Sequence, residues 1–205
     1  MMILRSALPS PFARKVRIAL SLLGFDHEVR IEAADTSDPH DRLRTQNPLG
    51  KIPVLVVEDG TVLYDSRVIL DYLDHRAGGG KIIPPEPAQR LAALRLQALC
   101  DGVLDASVLI VYEGRWRPPE KHDPKWLDHQ AGKVKRALAV LEAAPPSLGP
   151  KSQIPDVGQI ALACVLGYRD LRFGASWRDD HPRLAAWLED FAARVPAYAA
   201  TAATG

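Results

Sequence analysis

Met2-Ile3-Leu4-Arg5-Ser6, a three-residue break, then Ser10-Pro11-Phe12-Ala13-Arg14-Lys15-Val16-Arg17 is the stretch that decides how this chain is built. The first run is short and apolar, which suits a strand. Ser10 is a good N-cap, because its oxygen can accept from the orphan amides of a first helical turn, and Pro11 loses nothing at the first helical position. Phe12, Val16, Ala19, Leu20 and Leu23 then recur at helical spacing, with Arg14, Lys15, Arg17 and Ser21 between them. Strand, tight loop and helix N-terminus is an arrangement that holds anions, although a Ser-Pro pair also serves as a plain cap.

Working outward, His27-Glu28-Val29-Arg30-Ile31 alternates at period two and reads as a second strand. A connection of this length joins parallel strands in a right-handed βαβ unit. Val54-Leu55-Val56-Val57 and Thr61-Val62-Leu63-Tyr64 flank Glu58-Asp59-Gly60, a hairpin pattern. Asp65-Ser66 then caps a helix carrying Val68, Ile69, Tyr72 and Leu73. The expected order to about residue 77 is β-α-β-α-β-β-α, a small mixed sheet with helices.

Residues 78–87, rich in glycine and proline, break every periodicity and read as a linker. Everything from 88 to 205 reads as helical. Leu91, Leu94, Leu99 and Val103 form one stripe; Leu127, Ala131, Val134, Leu138 and Leu141 a second; Leu184, Trp187, Leu188, Phe191 and Val195 a third. A helix from Asp156 to about Tyr168 is apolar nearly all round and should be the buried centre. Either Asp156 caps it or its start is rearranged. The alanine-rich tail from Ala199 to Gly205 is expected to be loosely held.

The 205 residues can bury a substantial core. With 26 Lys+Arg against 25 Asp+Glu, the balance argues against a nucleic-acid or anionic-membrane partner. No apolar run reaches the roughly 20 residues of a membrane span and no leader pattern opens the chain, so a soluble cytoplasmic protein is expected. Cys100 and Cys164 lie far apart in apolar helical patterns, which predicts buried free thiols and no metal site.

Two further segments carry chemistry. In Asn47-Pro48-Leu49-Gly50-Lys51-Ile52-Pro53-Val54-Leu55, the proline at a strand start suits an edge or bend. A cis Ile52-Pro53 bond would leave the Ile52 backbone free to pair with an extended ligand. Asp65-Ser66 opens a helix, so the Ser66 hydroxyl and the first amides can bind a carboxylate while Asp65 can bind an ammonium, together an amino-acid head group. Each element alone is also ordinary capping.

Strand, Ser-Pro-Phe-x-x-Lys-Val-Arg helix, Asn-Pro-x-Gly-Lys-Ile-Pro-Val-Leu, hairpin, Asp-Ser helix and an all-helical remainder together resemble the soluble glutathione transferase family over essentially the whole chain. The likeness is nearest to bacterial members with a serine-type site. It implies a thioredoxin-like domain (1–77), a linker (78–87) and an all-α domain (88–205), usually paired as a homodimer. It further implies that Ser10 meets the glutathione sulfur, with Ser6 a competing hydroxyl. The Ile52 backbone would pair with the cysteinyl unit beside cis Pro53, Asp65 and Ser66 would hold the γ-glutamyl head, and Lys51 would take the glycyl carboxylate. Asp101 would reach the partner subunit's glutathione, and Phe12, Tyr112 and Trp116 would line a pocket for a small electrophile between the domains.

The implied chemistry is thiol activation. A free thiol has a pKa near 8.5, and lowering it by about two units takes about 2.7 kcal/mol of preferential thiolate stabilisation. Serine is no base at neutral pH, so Ser10 would donate a hydrogen bond to the thiolate. Thiol exchange of the cysteine type is disfavoured, because the first 77 residues hold no cysteine. A non-catalytic binding module on the same fold is the other reading.

Overall fold

The computed structural model describes residues 1–203. The first half runs β1 (Met2–Ser6), α1 (Pro11–Leu22), β2 (Val29–Ala33), α2 (Leu43–Gln46), β3 (Val54–Val56), β4 (Val62–Leu63) and α3 (Ser66–Arg76), the expected order. The second strand begins two residues later than the alternating pattern suggests. The sheet order is β2-β1-β3-β4, with β1 parallel to β2 and antiparallel to β3, and β3 antiparallel to β4. Met2, Leu4, Val16, Leu20, Leu55, Ile69 and Leu73 bury one face of the sheet under α1 and α3. Gly60 takes φ +87° in the hairpin turn, which favours glycine there.

The second half is helical: α4 (Pro87–Trp116), a short 3₁₀ turn (Pro119–Lys121), α5 (Pro124–Ala143), α6 (Val157–Phe173), α7 (Trp177–Asp180), α8 (Pro182–Arg194) and α9 (Pro196–Ala200). As expected, α6 is the buried centre, with every residue from Val157 to Tyr168 buried. Asp156 caps it directly: its carboxylate accepts from Gly158 N and Gln159 N at 2.8 and 2.9 Å, while Gln159 Oε1 accepts from Asp156 N at 2.8 Å. The α8 stripe is buried throughout.

The α4 stripe is not as the leucines suggest. Leu91 and Leu99 are 69% and 37% exposed, whereas Ala93, Gln97, Cys100, Leu104 and Ser107 form the buried row. The reason is close helix contact. A Cβ added at Gly158 of α6 would lie 2.7 Å from the Ala93 carbonyl and 2.8 Å from Leu96 Cβ, so the missing side chain is what lets α4 approach α6 at that crossing. On α5 the corresponding shift puts Gln130 inside and leaves Ala131 exposed.

Residues 78–87 do more than connect. Asp74, near the end of α3 and 5% exposed, accepts four backbone N–H bonds, from Gly80, Lys81, Ile82 and Ile83, at 2.9, 2.8, 2.7 and 3.2 Å. Ile82 and Ile83 are buried in the helical core, and the Ile82 carbonyl accepts from Val157 N at 2.9 Å. Asp74→Ala leaves those amides without their acceptor, and a loss of about 3 kcal/mol in urea unfolding is expected.

The tail is also firmer than its composition suggests. Tyr198 packs against the core, and Arg14 of α1 donates to the Tyr198 carbonyl at 2.6 Å and to Thr201 Oγ1 at 3.4 Å. Thr204 and Gly205 lie outside the described residues.

Candidate functional site

The strand directions bring three segments to one edge of the sheet. Because β1 and β3 are antiparallel, with Arg5 opposite Val54, the loop after β1 and the approach to β3 share an end. Because β3 and β4 are antiparallel, with Leu55 opposite Leu63, the start of α3 after β4 shares it too. Ser10, Ile52-Pro53 and Asp65-Ser66 therefore gather at one rim.

Ser10 is the N-cap of α1, with its Oγ accepting from Ala13 N at 3.2 Å. That bond uses a lone pair and leaves the hydroxyl hydrogen free to donate outward, where the helix N-terminus adds its partial positive charge. Ser10 lines a cavity of about 410 Å³ with Leu8, Pro9, Pro11 and Arg14, residues of α6, Tyr198, and Ala202 and Ala203 of the tail. Ser6 instead sits within β1 opposite Ala33, 3% exposed, and lines neither of the two cavities described here.

The Ile52-Pro53 peptide is cis. Among the described residues the Ile52 N–H and carbonyl have no hydrogen-bond partner, while Pro53 is buried. The preceding turn is fixed from within: Asn47, 2% exposed, donates from Nδ2 to the Lys51 carbonyl at 2.8 Å and accepts from Leu49 N at 3.0 Å. Gly50 takes φ +61°, where a larger residue would be strained. Lys51 itself is exposed.

Asp65 caps α3 through Arg67 N at 3.0 Å. Its carboxylate also accepts from Arg67 Nε and Nη2 at 3.2 and 2.8 Å, and the Arg67 guanidinium holds it below the usual carboxylate range. Its side chain stays 53% exposed, so acceptor capacity remains for an ammonium. Ser66 is 2% exposed, at the first position of α3.

Three expected placements differ. Asp101 forms an ion pair with Lys15 of its own chain; the Lys15 side chain is fully buried and that of Asp101 is 11% exposed. Burial pushes the Asp101 carboxyl up, against the pull of Lys15. Its carboxylate is thus engaged within its own chain by Lys15. Tyr112 and Trp116 line a separate depression with Leu109, Glu113, Arg117, Asp123 and Trp126, which includes no residue of the first half. Arg115, between them on α4, donates to Ser37 Oγ in the loop after β2, so the end of the helix still meets the first half. Phe12 lines neither cavity, packing instead against the helical core with Lys15 Nζ 5.3 Å from its ring.

Lys15, Arg14, Tyr168 and Tyr198 are the site-wall residues that sequence reading missed. Lys15 was legible only as a polar position on a helix, and nothing local marked it as the partner of a residue 86 positions away. Both cysteines are free and buried; burial pushes the Cys164 thiol up to about 11 and Cys100 further, so neither is a thiolate near neutral pH. Among the described residues no group of metal-ligating side chains occurs, and no helix is long and apolar enough to cross a membrane.

A four-stranded β-α-β-α-β-β-α half, with a helix-capping serine and a cis-proline loop at one rim, joined to an all-helical half, defines the two-domain proteins built on a thioredoxin-like fold. A glutathione S-transferase N-terminal domain model matches residues 9–76, and a glutathione S-transferase C-terminal domain model matches residues 124–190. The chain is 33% identical over 186 residues to the uncharacterized GST-like protein YibF of Escherichia coli, covering 90% of this chain and 91% of that one. It is 44% identical to a glutathione transferase family member from Pseudomonas fluorescens Pf-5 solved with bound glutathione, each chain covered completely, at a TM-score of 0.90. A structure from the same organism with bound S-(propanoic acid)-glutathione is 43% identical, again over both whole chains, at a TM-score of 0.86. The chain belongs to the glutathione S-transferase family.

Proposed function

We propose that this chain is a serine-type glutathione transferase, which activates the glutathione thiol at Ser10 for attack on a small electrophile, as in detoxifying conjugation. The observation that carries the reading is the gathering at one rim of a capping hydroxyl with a free hydrogen, an unpaired Ile52 backbone beside cis Pro53, and Ser66 at a helix start. The Ile52 N–H and carbonyl suit the backbone of an extended tripeptide. The α3 N-terminus and Ser66 suit the γ-glutamyl carboxylate, Asp65 its ammonium, and Lys51 the glycyl carboxylate. Lys15 and Asp101 back this wall, Lys15 fully buried and Asp101 nearly so. Bound glutathione in the Pseudomonas fluorescens relative supports the assignment.

In the reaction, the thiol proton leaves to solvent, the Ser10 hydroxyl donates to the thiolate, and sulfur attacks the electrophilic carbon. Ser10 is a hydrogen-bond donor and never a nucleophile. The domains are taken as 1–77 and 88–205 with 78–87 between them. Exposed Leu91 and Leu99 on α4 and Val68 on α3 support pairing as a homodimer, and the cytoplasm is the compartment proposed for it.

Calorimetric titration with glutathione, followed by turnover of aryl chlorides, epoxides and enones, tests the reading. Saturable binding with conjugate formation is expected; binding with no turnover across the panel would favour a non-catalytic module, and no binding would reject both. Thiol exchange stays disfavoured, because both cysteines are buried with raised pKa values.

A further inference from the structure

The cavity beside Ser10 is lined by Arg14, whose guanidinium carbon lies 4.1 Å from the centroid of the Tyr198 ring; Arg17, on the same helix, does not line it. Arg14 and Arg17 are 9% and 6% exposed, and neither has a carboxylate within ion-pair distance among the described residues. Arg17 donates to the Leu8 carbonyl at 3.0 Å, and its Nε has no partner. Arg14 uses Nη2 and Nε on the tail, as described, but Nη1 makes no hydrogen bond. That nitrogen sits over Gly167, where an added Cβ would come within 2.5 Å of it, and both residues line the cavity. Asp170, the acid in the lining, is already engaged: it accepts from Trp177 Nε1 and Arg178 Nη2, each at 2.7 Å. Two buried guanidiniums without an acid are costly, and burial together with Arg14 lowers the pKa of Arg17. An anion in the cavity would give Arg14 the acid it lacks.

We infer that the electrophile this chain takes carries a carboxylate, which Arg14 Nη1 receives in the cavity while the reacting carbon faces the thiolate at Ser10. Arg14 lies about one helical turn beyond Ser10 on α1, and both residues line the same cavity. Leu8, Pro9, Pro11 and Leu171 supply apolar walls between them, and the hydroxyl-bearing rings of Tyr168 and Tyr198 flank the charged end. The inference rests on the glutathione transferase reading and narrows its substrate class to anionic electrophiles.

The test uses a matched pair, 4-chloro-3-nitrobenzoate and 4-chloro-3-nitrobenzamide. With either, the thiolate sulfur forms a C–S bond at the chlorine-bearing carbon, the C–Cl bond breaks, and chloride leaves with the bonding pair. The ratio of kcat/KM for benzoate over benzamide is expected to fall about tenfold or more in Arg14→Gln and to be largely kept in Arg14→Lys. An equal fall for both substrates would mean that Arg14 only ties down the tail, and would overturn the inference. Because Arg14→Gln also loosens that tail, a second measurement uses the unaltered protein. The S-aryl glutathione conjugate bearing the carboxylate should bind about tenfold more tightly than its carboxamide twin. Equal affinity overturns the inference alone, whereas failure to bind glutathione or either conjugate removes the underlying reading as well.

Discussion

Ser10→Ala is expected to raise the thiol pKa of bound glutathione by about one to two units and to lower kcat/KM at neutral pH about 10- to 100-fold, because a hydrogen bond to a charged group is worth about 1.5–3 kcal/mol. Glutathione affinity should change little, since the Ile52 backbone and the α3 N-terminus remain. The same substitution removes the α1 cap and should cost about 1 kcal/mol of stability. The two effects separate in Ser10→Asp, which keeps a capping oxygen but offers a negative charge and no donor to the sulfur. That variant should stay folded and inactive. Thiolate absorbance of the enzyme–glutathione complex against pH reads the pKa directly, and an unchanged curve in Ser10→Ala would remove Ser10 from the chemistry.

Asp101→Ala should be among the most destabilising single changes, at about 3–5 kcal/mol, because it strands the Lys15 ammonium in a fully buried position. For a chain of this size that corresponds to a fall in Tm of roughly 6–20 °C. Lys15→Met combined with Asp101→Leu should recover most of the loss, since replacing both ions by apolar side chains removes the uncompensated charge. If thermal melts show the single variant as stable as the parent, the pair is not buried as described. The double variant has a second use. Lys15 and Asp101 stand directly behind the rim, so a folded double variant with weakened glutathione binding would mean that their charges reach the ligand through the wall.

How much was readable in advance follows from the range of the forces involved. The caps at Ser10 and Asp65, the Asp59-Gly60 turn and the core face of α8 depend on neighbours within a few residues, and the sequence pattern locates each of them; at Asp156 it left a rearranged start open, and the structure shows the cap. The strands were placed to within two residues. What failed depends on distant neighbours. The buried row of α4 depends on its crossing with α6, where Gly158, some 60 positions downstream, leaves room for the Ala93 carbonyl and the Leu96 side chain, while Leu91 and Leu99 face outward. Tyr112 and Trp116 were expected, on the family resemblance, in one pocket with Phe12 between the domains, and they line a depression other than the one at Ser10. The tail looked loose because alanine contributes little by itself; Arg14, far earlier in the chain, is what anchors it.

The Asp74 carboxylate, gathering the amides of residues 80–83 while Ile82 joins the base of α6, has a consequence for how the molecule comes apart. A glycine-rich connector would ordinarily let two lobes melt separately. Here the last turns of one lobe organise the connector, and the connector is itself part of the other lobe's core, so neither can open without exposing the other's interior. The two halves are therefore expected to unfold in one cooperative step, and a rim assembled from three segments of the first half to lose its shape when the helices of the second half come away.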